Sequence, residues 1–260
     1  MFIWNKPIQI LICLGEIFIL LFACTHTNPK PPKLRIAASA NMQFAIKGLM
    51  DEFTNRTHIE TELITASSGK LTAQIQEGAP FDVFLSADMK YPTALYENGF
   101  THSKPVSYAY GQLVLWTMNQ TIPLSLDSFS IGSIKHIALA NPKTAPYGLA
   151  AKEVLVKKKS WSSIKDKLVF GESIAQTNQF VVTQSAEIGF TAKSVVLSSN
   201  LKDKGRWVAI DSNLYGDIVQ GFVIVKHPQT PLLQAKQFQS FLFSKEAQKI
   251  LKDFGYLTLE

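Results

Sequence analysis

A chain of 260 residues, 46% hydrophobic and 18% charged, carries enough apolar material for a large core, which excludes a mostly disordered protein. Lys and Arg number 26 against 20 Asp and Glu, a net charge of +6, but the basic residues are spread along the sequence without a nucleic-acid motif, so no nucleic-acid partner is expected. The two cysteines, Cys13 and Cys24, both fall in the first apolar segment, so the remainder folds without disulfides and offers no thiol chemistry.

In chain order, residues 1–24 pass from Lys6 into an apolar run that ends Leu21-Phe22-Ala23-Cys24. This ending resembles the bacterial lipoprotein signal, which implies cleavage, a lipid on Cys24 and a periplasmic or extracytoplasmic location with membrane contact through that lipid. An uncleaved anchor is the alternative, because about 20 apolar residues suffice to span a bilayer. The polar, proline-rich residues 25–33 read as an extended tether.

From Leu34 the chain alternates short β-like runs with amphipathic stretches, the pattern of parallel strands covered by helices. Strands are predicted at Leu34 to Ala37, Ile59 to Thr65, Asp82 to Ala87, Ile137 to Ala140, Leu168 to Phe170 and Ile188 to Thr191. Met42, Ala45, Ile46, Leu49, Met50 and Phe53 recur at helical spacing, as do Ile174, Thr177, Phe180 and Val181. Tyr108 to Trp116 and Ile218 to Val225 are long β-rich stretches far apart in sequence, expected to cross between two lobes. Pro231 to Phe254 is again helical and is expected to pack back on the first lobe. The expected α/β fold has lobe 1 from residues 34–112 and 222–260, lobe 2 from 113–221, and two crossover strands as hinge.

Four strand-to-helix turns are candidate anion cradles, since unpaired backbone N–H groups at helix starts favour negative charge. They are Ala37 to Asn41, Ala66 to Lys70, Asn141 to Gly148, and Gly171 to Gln176. Taken singly, Ser39 or Asn41 serves equally well as a helix cap, and Tyr147 as a packing residue. The Gly69-Lys70 pair is not a phosphate loop, because Ile64 stands where that motif requires Gly and Leu71 where it requires Ser or Thr.

Together and in this order the segments resemble the periplasmic molybdate-binding proteins, from about Leu34 to Tyr256. The resemblance is carried by Ser67-Ser68-Gly69, by Gln76-Glu77-Gly78-Ala79-Pro80-Phe81-Asp82-Val83-Phe84-Leu85-Ser86-Ala87-Asp88, by Ala140 to Gly148, by Phe170 to Gln176, and by Ala186 to Ala192. It implies a two-lobed periplasmic-binding-protein fold, each lobe a mostly parallel sheet flanked by helices. The implied ligand is molybdate or tungstate, with no other cofactor, and the implied partners are the membrane permease and ATPase of an ABC-type uptake transporter. By position it places ligand contacts on Ala40, Asn41, Ser68, Tyr147 and Ile174, with Ser39 adjacent, and it implies a monomer. Metal would enter only as the oxyanion. Ala40 stands where some relatives carry a hydroxyl, so its contact would come from backbone or pass to Ser39.

An enzyme is not expected. The chain has no Gly-x-Ser-x-Gly elbow and no His-Glu-x-x-His, and its five histidines lack metal-ligand spacing. A binding protein of the same architecture for another oxyanion or a small organic anion is the alternative, and a cleft lined by arginine or carboxylate would favour it.

Overall fold

In the computed structural model, residues 33–258 are described; the expected signal peptide, Cys24 and nearly all of the tether lie outside the described residues. Strand β1 (Leu34–Ser39) is buried along almost its whole length, as a parallel strand covered on both faces must be. It pairs in parallel with β2 (Thr61–Ala66) and with β3 (Val83–Ser86). Helices α1 (Ala45–Thr57) and α2 (Ser68–Gln76) make the crossovers. A short 3-10 turn, Ala40–Met42, precedes α1, which turns Ala45, Ile46, Leu49 and Phe53 inward and ends at His58 with left-handed backbone.

After α3 (Lys90–Glu97), strand β4 (Val106–Gly111) lies in the same sheet, whereas β5 (Leu113–Thr117) belongs to a second one. The expected crossover at Tyr108 to Trp116 is therefore two strands divided at Gln112. The second lobe continues with β6 (Ile137–Ala140), α4 (Pro146–Lys157), β7 (Leu168–Gly171), α5 (Ile174–Val182), β8 (Ile188–Ala192), α6 (Lys193–Val196) and β9 (Arg206–Ala209). Strand β10 (Ile218–Ile224) returns to the first sheet. It lies wholly in that sheet, so the return crossing precedes Ile218, ahead of the boundary expected at 221/222. Helices α7 (Leu232–Leu242) and α8 (Lys245–Asp253) and strand β11 (Leu257–Thr258) complete the first lobe.

The sheet orders are β11-β4-β10-β3-β1-β2 and β7-β6-β8-β5-β9. Each has a parallel core, β2-β1-β3 or β7-β6-β8, continued by antiparallel strands. The long helical stretch after Pro231 breaks at Phe243, and the Ser244 hydroxyl restarts it by accepting from the Ala247 N–H at 3.3 Å. The rings of Phe238 and Phe241 stand 5.0 and 5.6 Å from Phe53 and close the first core. Leu113, Leu115, Ile137, Leu139 and Phe190 form the second, with the Phe129 ring 5.8 Å from Phe190. Among the described residues no helix is long and apolar enough to cross a membrane.

Candidate binding site

The carboxyl ends of β1, β2, β6 and β7 carry the four turns singled out in the sequence, and each is followed by the start of a helix or 3-10 turn. Their residues line one small cavity. Ser39, Ala40 and Asn41 reach it from the first turn, Ser67 and Ser68 from the second, Ala145, Pro146 and Tyr147 from the third, and Ile174 from the fourth. All six expected contact residues are thus brought together. Ala87, just past β3, completes the wall. A wider hollow of about 880 Å³ runs along the outside of α4 past Leu149, Lys152, Val156 and Tyr215, but it is open and its lining gathers no helix starts.

Each turn presents backbone donors that its helix cannot use. The first N–H groups of a helix have no partner one turn earlier, so those of Ser68, Tyr147 and Ile174, in the opening turns of α2, α4 and α5, are available to a ligand. Pro146 suits the α4 start because the N–H it lacks would have been idle. No lysine, arginine, aspartate or glutamate side chain lines the cavity. Lys70 of the second turn and Glu172 of the fourth form an exposed ion pair at 3.4 Å.

The hydroxyls form a compact cluster. Ser39 stands at the cap position of the 3-10 turn but its side chain makes no capping hydrogen bond; its Oγ lies 2.5 Å from Ser68 Oγ, and the Ala87 N–H donates to both oxygens at 3.1 Å. One hydroxyl proton is used between the two serines, which leaves the other for a ligand. Asn41 is committed differently. Its Nδ2 donates to Gln220 Oε1 at 2.9 Å and to the Tyr256 hydroxyl at 3.0 Å, so its side-chain protons are spent and only its backbone N–H is left to donate to a ligand. The Asn41 carbonyl accepts from Ser194 Oγ at 2.8 Å and from the Tyr256 hydroxyl at 3.2 Å.

Tyr147 spans the cleft. Its hydroxyl occupies the space a side chain at Gly111 would need, so Gly111 is small because the tyrosine end abuts β4. Burial pushes the Tyr147 hydroxyl well above the ordinary tyrosine range, helped by the nearby Tyr256, Tyr108 and Tyr215 hydroxyls and opposed by Asn41. Burial also raises Tyr256, against its hydrogen bonds with Ser194 and Asn41. Both phenols therefore stay protonated donors. Asp88, beside Ala87, has its carboxyl raised by burial, opposed by the Tyr91 N–H, the Ser86 hydroxyl and Lys90.

Sequence reasoning missed Gln220, Tyr256, Ser194 and Ala87. Ala87 lay in a segment already matched; the other three carried no local signal.

The model of the family described as bacterial extracellular solute-binding protein matches residues 34–257. The molybdate-binding protein ModA of Azotobacter vinelandii is 36% identical over 244 residues, 91% of this chain and 93% of that protein. Its namesake in Rhodobacter capsulatus is 35% identical over 223 residues, 85% and 87% of the two chains. The solved structure of the Azotobacter vinelandii periplasmic molybdate-binding protein superposes with a TM-score of 0.83 at 30% identity, covering 88% of this chain and all of that one. Sequence and fold agree: the chain belongs to the bacterial extracellular solute-binding proteins and, among them, to the family of the periplasmic molybdate-binding proteins.

Proposed function

We propose that this protein binds molybdate or tungstate between its two lobes outside the cytoplasm and delivers it to the permease and ATPase of an ABC-type uptake transporter, acting as a binding protein and not as an enzyme. The observation that carries the reading is the meeting of four neutral, donor-bearing turns in one cavity free of charged side chains. A dianion with four equivalent oxygens needs several short hydrogen bonds from preorganised N–H and O–H groups, and it needs no counter-charge when those donors are fixed. A basic side chain would pair as readily with an organic acid, so its absence from the lining favours a small symmetric oxyanion.

In this reading Ala40, Asn41, Tyr147 and Ile174 act through backbone N–H groups, and Ser68 adds its hydroxyl, with Ser39 beside it. The two oxyanions are nearly equal in size, so both are bound. Sulfate is smaller and cannot reach all the donors at once. A lipid on Cys24 and the tether would hold a monomer near its transporter; this part rests on the sequence ending Leu21-Phe22-Ala23-Cys24. Calorimetric titration of the chain from Lys33 onward with molybdate, tungstate, sulfate and phosphate tests the proposal. One-to-one binding of the first two with little heat from sulfate supports it; preference for sulfate or phosphate, or no binding of any of the four, rejects it.

A further inference from the structure

Gln220 is fully buried in the middle of β10, an unusual place for an amide side chain unless every polar atom has a partner. It has them. Its Oε1 accepts from Asn41 Nδ2 at 2.9 Å, and its Nε2 donates to the Ala87 carbonyl at 3.2 Å and the Ile218 carbonyl at 3.1 Å. The register of β10 against β4 shifts between Gln220 and Gly221, and such a bulge re-aims a side chain out of the regular alternation.

The two partners outside β10, Asn41 and Ala87, both line the cavity and come from different segments of the chain. Asn41 is the first turn. Ala87 ties the first turn to the second, because its N–H donates to both the Ser39 and Ser68 hydroxyls while its carbonyl accepts from Gln220. A Cβ placed on Gly111 would stand 3.0 Å from Tyr147 Cζ and 3.1 Å from Gln220 Nε2, so the third turn's tyrosine ends in the same small space.

We propose that Gln220 is the positioning residue of the anion site: it touches no ligand, but it sets the Asn41 N–H and the Ser39–Ser68 hydroxyl pair at the spacing a tetrahedral oxyanion requires. The inference rests on the anion-binding reading above and deepens it. An amide is needed because the site asks for one acceptor and two donors at one point; a carboxylate supplies no donor and turns its charge on two carbonyl oxygens.

The test compares Gln220→Glu and Gln220→Met with the unaltered protein, by molybdate titration at about pH 8 and about pH 5.5 and by amide exchange of the ligand-free chains. The titratable groups around the position are Tyr108, Tyr147 and Tyr256, which burial holds protonated, and Asp88 beside Ala87, which is unaltered in all three proteins. Binding by Gln220→Glu is expected to fall about tenfold or more at the higher pH and to recover at the lower, where the introduced carboxyl takes up a proton and regains one donor. Gln220→Met is expected to lose about tenfold at both pH values, with faster exchange at the Ala87 amide. Should Gln220→Glu fail to fold, the methionine variant decides alone. Full affinity in both variants beside an unaltered protein that binds molybdate overturns the inference while leaving the anion site standing. If the unaltered protein binds none of the four anions, the functional reading fails, and an unchanged Ala87 exchange rate in Gln220→Met then overturns the positioning role as well.

Discussion

At the scale of single residues, the cavity separates side chains that donate from side chains that hold. Ser68 is fully buried, accepts from the Ala87 N–H and shares a proton with Ser39, so one hydroxyl proton of the pair remains for a ligand. Ser68→Ala removes one of the two hydroxyls, and with it the Ser68 oxygen's place beside a ligand, and leaves Ser39 and the Ala87 N–H to each other. The expected loss is about 1 to 3 kcal/mol, roughly five- to 150-fold in molybdate affinity by calorimetry, with thermal stability of the ligand-free protein nearly unchanged. Equal affinity would take the Ser68 hydroxyl out of the contact set. Ala40 makes the complementary point: with no polar side chain, it can serve an anion only through its peptide, which the start of the 3-10 turn leaves unpaired.

At the scale of elements, helices fix the turns because their buried faces fix the helices. Helix α1 is held by Phe53 against Phe238 and Phe241 of α7, and this aromatic contact lies at the far end of α1 from Asn41. Phe53→Ala should therefore cost about 3 to 5 kcal/mol in urea unfolding while molybdate affinity of the folded fraction stays the same. A cost under about 1 kcal/mol would mean the helix is held elsewhere. Such elements were legible in the sequence: β1, β6 and β8 are near-continuous apolar runs, α1 has a clean helical stripe, and Pro146 and Gly171 punctuate the turns that follow. Strands β9 and β11 were not, since one is short and half-exposed and the other is two residues long, and both owe their form to a neighbouring strand. The holding residues were hidden for a related reason. Gln220 and Tyr256 meet Asn41 across 179 and 215 residues of sequence, so no local spacing marks them.

At the scale of the whole molecule, the two lobes touch through backbone as well as across the cavity. The Gly69 N–H, the next after Ser68 in α2, donates to the Thr144 carbonyl of the second lobe at 2.9 Å, and the Tyr91 hydroxyl donates to the Lys143 carbonyl at 3.1 Å. The exposed Lys70 to Glu172 pair nearby adds little, about 0 to 1 kcal/mol. This closed contact depends on a missing side chain. A Cβ at Gly69 would stand 2.8 Å from the Tyr91 hydroxyl and 3.1 Å from both Cα and O of Thr144, so the Thr144 main chain of the other lobe would have to give by a few tenths of an ångström. Gly69→Ala also improves helix propensity by about 0.5 to 1 kcal/mol, so the ligand-free, open protein should be as stable as before or slightly more so. The closed state alone should suffer. Molybdate should bind about tenfold or more weakly, with faster release, and the ligand-bound protein should keep a larger radius of gyration in X-ray scattering than the unaltered complex. An unchanged release rate and an unchanged bound radius would mean that the Gly69 to Thr144 contact forms without governing closure, and that the anion's own hydrogen bonds to both lobes hold the cleft shut.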